Sequence, residues 1–301
     1  MKLRANKPRT KALCFAGCSF TWGQNLWYYT ALDSLVEFQP YGYDPSNVNI
    51  VHHAFRKKWN WPTQVANHFN TVAVTHEKNG GNNNQMVEYW KNTFSSKEPV
   101  TVKAFVRDNF EKTSPINYSD ISHFVFQFTG WMRSTVKLPI DGKDEYICMF
   151  DIGPEDWNKR RSAVFFDWLD KNYQDTSDCS ALGIFHQDLK KRDVALVKDL
   201  LQTLENNGVK THVMTWMPEF CDFIEQDEWL SKRFIKFTYN SSEYRCIEEL
   251  AKGNRDKGIA IIDDTEFFEE TPIDDHLSIK GNKIVADNVI RAIESRERWP
   301  E

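Results

Sequence analysis

Long apolar runs are missing from this 301-residue chain. No stretch approaches the roughly 20 apolar residues needed to cross a bilayer. The basic N-terminus (Lys2, Arg4, Lys7, Arg9 and Lys11) is not followed by a signal-type apolar segment, because Gly17, Ser19 and Thr21 interrupt it. It reads as a solvated tail. Charge of one sign is missing too: 38 basic and 43 acidic residues leave a formal net charge of -5. Binding nucleic-acid phosphates needs concentrated positive charge, so no nucleic-acid partner is expected. The six cysteines are scattered with no CxxC pair, and His52, His53 and His68 stand at no ligand spacing. Neither metal, cofactor nor disulfide framework is expected, and a reducing, cytoplasmic compartment is the simpler expectation. Repeats and low-complexity tracts are absent as well.

What the chain does have is a globular balance, 41% hydrophobic and 27% charged, with length for one large domain spanning 1–301. Short apolar runs alternate with helical patterns. Residues 12–16 stop at Gly17 and read as a buried strand. A short helix is expected over 62–69, with Pro62 in its first turn. A strand over 71–75 follows, then an Asn/Gly loop at 79–84 and a helix over 85–94. Ile121 to Phe128 is a third strand, rich in aromatic and β-branched residues. The spacing of Leu189, Val194, Val197, Leu200, Leu201 and Leu204 marks a helix over 182–204, ended by Asn207-Gly208. Strands at 209–216 and 258–262 and a final helix over 279–295 complete the series. Strand alternating with helix predicts an α/β fold with a parallel sheet and all strand C-terminal ends on one edge. Segments 24–60 and 135–180 fit that alternation poorly and read as insertions. With 11 Trp, 10 Tyr and 21 Phe in the chain, they are candidates for protein assembly contacts as well as core packing.

Two segments carry chemistry. Gly17-Cys18-Ser19-Phe20-Thr21-Trp22-Gly23 puts a serine just past a strand end, at a tight turn where backbone N–H groups can hold an oxyanion. Asp274-Asp275-His276-Leu277-Ser278-Ile279-Lys280-Gly281-Asn282 puts a histidine and two carboxylates on a loop before the last helix, with Ser278 as N-cap. A serine nucleophile needs a base within reach and a carboxylate to hold the imidazole tautomer. Cys18 as thiol nucleophile is a weaker alternative, since neighbours at a strand end point different ways. Asp263-Asp264 at the end of the last strand can orient His276 or cap a turn. The segment 79–84 is no phosphate loop, for it lacks the Lys-Ser/Thr pair.

These blocks resemble those of the SGNH (GDSL-like) hydrolases. Gly17 to Gly23 resembles their first block, with Cys where many members have Asp. Asp274 to Gly281 resembles the last, in an Asp-x-His-x-Ser-x-x-Gly form. Asn79-Gly80-Gly81-Asn82-Asn83-Asn84 resembles the middle block. The resemblance implies a three-layer α/β/α sandwich with a flavodoxin-like, five-stranded parallel sheet. It implies Ser19 as nucleophile, His276 as base, and Ser19, Gly81 and Asn83 as oxyanion donors. The residue three before His276 is Ile273, so the triad acid falls to Asp274, then Asp275. The Gly-x-Asn-Asp block is replaced by Thr129-Gly130-Trp131-Met132-Arg133, which resembles members encoded by tailed bacteriophages. Trp22, Trp27, Tyr28 and Trp131 are the expected substrate platform, and Arg133 a binder of an anionic or sugar group. The implied activity is an esterase or deacetylase acting on an acylated small molecule or carbohydrate. The alternative is a catalytically weak or inactive binding component of a virion or other assembly.

Overall fold

The computed structural model describes residues 11–17, 21, 58–75, 82–95, 102–105, 111–114, 117–149, 152, 159–254, 257–259 and 276–298. The first strand, β1 (Ala12–Ala16), buries everything after Ala12. Such two-sided burial belongs to a strand in the middle of a sheet covered on both faces. Helix α1 (Trp61–His68) starts at the N-cap Asn60, whose side chain accepts from Thr63 N. Strand β2 (Ala73–Thr75) and helix α2 (Asn83–Ser95) follow, then β3 (Val102–Phe105), β4 (Glu111–Ser114) and the long β5 (Ile121–Phe128). Strands β6 (Thr135–Ile140) and β7 (Lys143–Cys148) form a hairpin, followed by helices α3 (Lys159–Asn172) and α4 (Ala181–Asn206). Beyond β8 (Lys210–Thr215) come α5 (Cys221–Gln226), α6 (Glu228–Ser231), the small hairpin β9 (Phe237–Tyr239) and β10 (Ser242–Tyr244), α7 (Ile247–Lys252) and α8 (Ile279–Arg298).

The main sheet has the order β4-β3-β2-β1-β5-β8. Its four strands β2, β1, β5 and β8 are parallel, and β3 and β4 add antiparallel at the β2 edge. Alternation along the strands divides the core in two. Leu13, Phe15, Val125 and Met214 face α1, α7 and α8. Cys14, Ala16, Phe124, Phe126, Phe128 and Val213 face α2 and α4. The fold is therefore α/β, with helices against both faces of a parallel sheet. The antiparallel edge pair was not foreseen. Of the segment expected as a further strand, 258–262, only residues 258 and 259 are described.

Chain order sets the site. From β1 the chain moves to β2 on one side, and it later returns to β5 on the other. The C-terminal ends of β1 and β5 thus flank a topological switch point, where open α/β sheets form crevices.

Helix α4 is the longest element. Ser180 caps its start by accepting from Gly183 N (3.2 Å). Its end is a Schellman motif: Gly208 at φ +80° donates to Glu205 O, and Val209 N donates to Leu204 O. The 135–180 insertion packs on this helix. Leu138, Ile140, Ile147, Phe165 and Leu169 form a separate small core with Phe185 and Leu189 of α4. The hairpin turns at Asp141-Gly142, both at positive φ, as a tight hairpin turn requires. No described helix is long and apolar enough to cross a membrane.

Candidate functional site

Gly17 ends β1 where a side chain will not fit. A Cβ there would collide with Thr21 Oγ1 and lie 2.7 Å from Thr21 Cβ. The Thr21 hydroxyl is buried and donates to Gln127 Oε1 of β5 (2.6 Å). The chain thus leaves β1 and is tied back to the neighbouring strand four residues later. Ser19 falls between these anchors, outside the described residues. So do Cys18, Trp22, Trp27, Tyr28, Gly81, Asp263, Asp264, Asp274 and Asp275.

His276 is half-buried and precedes a firmly anchored junction. Ser278 N donates to Ile259 O (2.8 Å) and its hydroxyl donates to Gly258 O (2.6 Å). The same hydroxyl accepts from Gly281 N (3.0 Å), which makes Ser278 the N-cap of α8, as expected. A Cβ on Gly281 would run into Ile259 O, so the helix lies on that carbonyl only because residue 281 is glycine. Asn282 accepts from Trp61 N through Oδ1 (3.0 Å) and donates to Leu277 O and Ser278 O. The far end of α8 fixes its direction. Arg296 donates to Thr211 O at the start of β8, on the N-terminal edge of the sheet. An α-helix rises about 1.5 Å per residue, so α8 spans the sheet and holds His276 at the opposite, C-terminal edge. Gly17 and Thr129 end their strands on that same edge.

Asn83 lies at the start of α2 and is fully buried. Its Oδ1 accepts from Thr129 N (2.9 Å), and its Nδ2 donates to Asp193 Oδ2 (2.9 Å) and Thr129 O (3.3 Å). Both amide protons are committed inside the protein. The expectation that Asn83 holds an oxyanion is therefore corrected: the side chain is a clamp that mimics a strand partner for Thr129. Its anchor is Asp193 of α4, also fully buried. Asp193 accepts from Ser134 Oγ and pairs with Arg192 Nη2 (3.3 Å), which also donates its Nη1 to Thr135 O (3.0 Å). With its amide oriented to suit its neighbours, Asn84 donates to Asp193 Oδ1 (2.7 Å) and accepts from Arg192 (2.8 Å). Burial pushes the Asp193 carboxyl up, against bonds from Ser134, Asn83 and Arg192 that pull it down. Sequence reasoning missed Asp193. The signal was present: a charged residue sits among Leu189, Val194 and Val197 on the buried stripe of a helix.

Trp131 and Arg133 ride on the single turn of 3-10 helix (Trp131–Arg133) that follows β5. The Trp131 ring lies 4.0 Å from that of His186, centroid to centroid. Lys190 Nζ, one turn further along α4, lies 5.7 Å from the Trp131 ring centre. The Arg133 guanidinium stands 5.8 Å from the ring centre of Trp216, just past β8. Glu219 is half-buried beyond it. Burial pushes the Glu219 carboxyl up, and burial followed by the Lys190 charge pushes His186 down. Among the described residues no group of three or more His, Cys, Asp or Glu side chains could hold a metal ion.

Comparison with protein-family models, with curated proteins and with solved structures finds no match to this chain.

Proposed function

We propose that this chain is a serine esterase of the SGNH type, acting on an acylated small molecule or carbohydrate. One observation carries the reading beyond the resemblance of motifs: His276 stands on the sheet edge at which β1 ends in its glycine turn. In this reading the Ser19 hydroxyl attacks the ester carbonyl. His276 takes its proton and returns it to the leaving alkoxide, with Asp274 or Asp275 holding the imidazole. The oxyanion is held by the backbone N–H groups of Ser19 and Gly81, without the Asn83 amide. Trp22, Trp131 and Arg133 contact the substrate. Residues 258–262 as a fifth parallel strand would complete a flavodoxin-like α/β/α sandwich.

Turnover of p-nitrophenyl acetate tests the reading. Activity lost in Ser19→Ala and in His276→Ala, with Ser19 labelled by a phosphonate probe, is the expected result. Hydrolysis that survives Ser19→Ala refutes it. A second reading has one observation in its favour. With the Asn83 amide committed inside the protein, the hole has one donor fewer, as an inactive binding component of an assembly would tolerate. No turnover and no labelling of Ser19 would select that reading. The setting is the cytoplasm, or a virion if the chain is phage-encoded.

A further inference from the structure

Two cysteines that lie far apart in the chain meet in the fold. Cys221 opens α5, and Cys246 is the N-cap of α7. Both are fully buried. Contacts on either side hold their segments together. Glu248 N donates to Trp216 O (2.9 Å), and Arg245 Nη1 donates to Asp222 Oδ1 (2.8 Å). Arg245 also pairs with Glu225, further along α5 (3.7 Å). Between these contacts the thiols of Cys221 and Cys246 hydrogen-bond to each other. Cys246 Sγ also accepts from Glu249 N (3.4 Å), the bond that caps α7 and fixes this side chain. The chemistry proposed for the sheet edge uses neither sulfur.

A disulfide bond is about 2.05 Å long. Sulfurs already in hydrogen-bond contact reach that length by closing a gap of about 2 Å. The bond to Cys246, then burial, push the Cys221 thiol up, so the pair reacts slowly. With both sulfurs closed off from water, a bulky disulfide such as oxidised glutathione does not reach them in the fold. A peroxide is little larger than water and needs the smallest opening. We propose that Cys221 and Cys246 form a redox-modification site, a dithiol that peroxide converts reversibly to an intramolecular disulfide. One thiolate attacks a peroxide oxygen: the S–O bond forms, the O–O bond breaks, and hydroxide leaves and is protonated to water. The second thiolate attacks the resulting sulfenic sulfur: the S–S bond forms, the S–O bond breaks, and a second water leaves. Two thiols lose two electrons and two protons in all, and one hydrogen peroxide becomes two waters. Closure ties the start of α5 to the cap of α7 and encloses α6 and the β9–β10 hairpin in the loop. The inference is independent of the esterase reading.

The test treats the folded full chain with hydrogen peroxide overnight, at a concentration that modifies the partly exposed Cys148 and Cys179. Remaining thiols are then alkylated in urea, and the chain is digested without reductant for mass spectrometry. The expected result is a peptide pair joined through Cys221 and Cys246, lighter by two hydrogens and released by dithiothreitol. It should be at least about tenfold more abundant than any other cysteine pair, because only these sulfurs are held in place for each other. A parallel sample oxidised in urea should lose that preference. The inference is overturned if Cys221 and Cys246 come back as thiols once Cys148 and Cys179 are modified. Single oxidation of either to a sulfinic or sulfonic acid, pairing of either with another cysteine, or the same preference in urea would each overturn it too. Turnover of p-nitrophenyl acetate plays no part in these outcomes, so failure here and failure of the esterase reading are distinct.

Discussion

Replacing His123 with Phe should remove a large share of the acid sensitivity of this fold. His123 on β5 and His212 on β8 are both buried, with rings stacked 5.6 Å apart at 28°. Neither nitrogen of His123 has a hydrogen-bond partner, nor does Nε2 of His212. Burial, then the charges of Lys210 and Arg296, push His123 from 6.5 down to about 4. His212 is pushed well down by burial, by His123 itself, and by Arg296, Arg233 and Lys210. In the unfolded chain His123 takes up a proton near pH 6.5; in the fold it does so only near pH 4. Between those values the unfolded state binds more protons, so stability is full above the window and falls as pH falls through it. At about 1.4 kcal/mol per pH unit, His123 alone accounts for about 3 kcal/mol across the window and about 2 kcal/mol by pH 5. His123→Phe keeps a ring in place and removes the titration. Urea unfolding at several pH values from about 7.5 to about 5 should then show a shallower loss in the variant, by about 2 kcal/mol at the acid end. The other histidines titrate in both proteins, and in the variant His212 keeps the burial and the charges of Arg296, Arg233 and Lys210 that hold it down. Parallel stability curves for wild type and variant over that range would refute the reasoning.

Asp193→Ala should destabilise the fold by about 3 kcal/mol in urea unfolding, because it leaves Asn83, Ser134 and Arg192 facing a void. A loss under about 0.5 kcal/mol would show that the cluster re-forms without it. Gly17→Ala should cost about 1–3 kcal/mol, since the added methyl displaces Thr21 and breaks its bond to Gln127. On the esterase reading it also lowers p-nitrophenyl acetate turnover through the shifted Ser19 turn, and unchanged stability would contradict the packing described. Asn282→Ala removes the acceptor for Trp61 N and two donations into the α8 junction. A drop of about 2 kcal/mol is expected, and amide exchange at Trp61 should speed up.

The elements legible in the sequence were those whose period agrees with their environment. Strand β5 reads as one continuous aromatic and β-branched run, and it is buried on both faces as such a run requires. Helix α4 carries its own stripe and its own stop in Asn207-Gly208. Strands β3 and β4 escaped because VKAF and EKTS are four residues each, too short for a period to declare itself. The hairpin inside the 135–180 insertion has an Asp-Gly turn signal that the general excess of polar residues obscured. For the site, sequence order made the Ser278 cap legible, since capping depends on neighbours a few residues away. Asn83 was misread for the opposite reason. Its partners, Thr129 and Asp193, lie 46 and 110 residues away, and no local pattern records whether an amide faces a cleft or a buried carboxylate.

The commitment of the Asn83 amide also bears on how this edge is built. One carboxylate, Asp193, gathers Asn83 and Asn84 from the start of α2, Ser134 from the end of the Trp131 turn, and Arg192 from its own helix. The start of α2 and the turn that carries Trp131 are therefore held by the same buried group. In such an arrangement the asparagine amide serves better as a strut than as an oxyanion donor. On the esterase reading, the oxyanion hole then draws on backbone N–H groups. Asp193 then acts as a positioning residue. Weakening it by a shorter or neutral side chain should lower both turnover and stability, whereas Ser19→Ala should lower turnover alone.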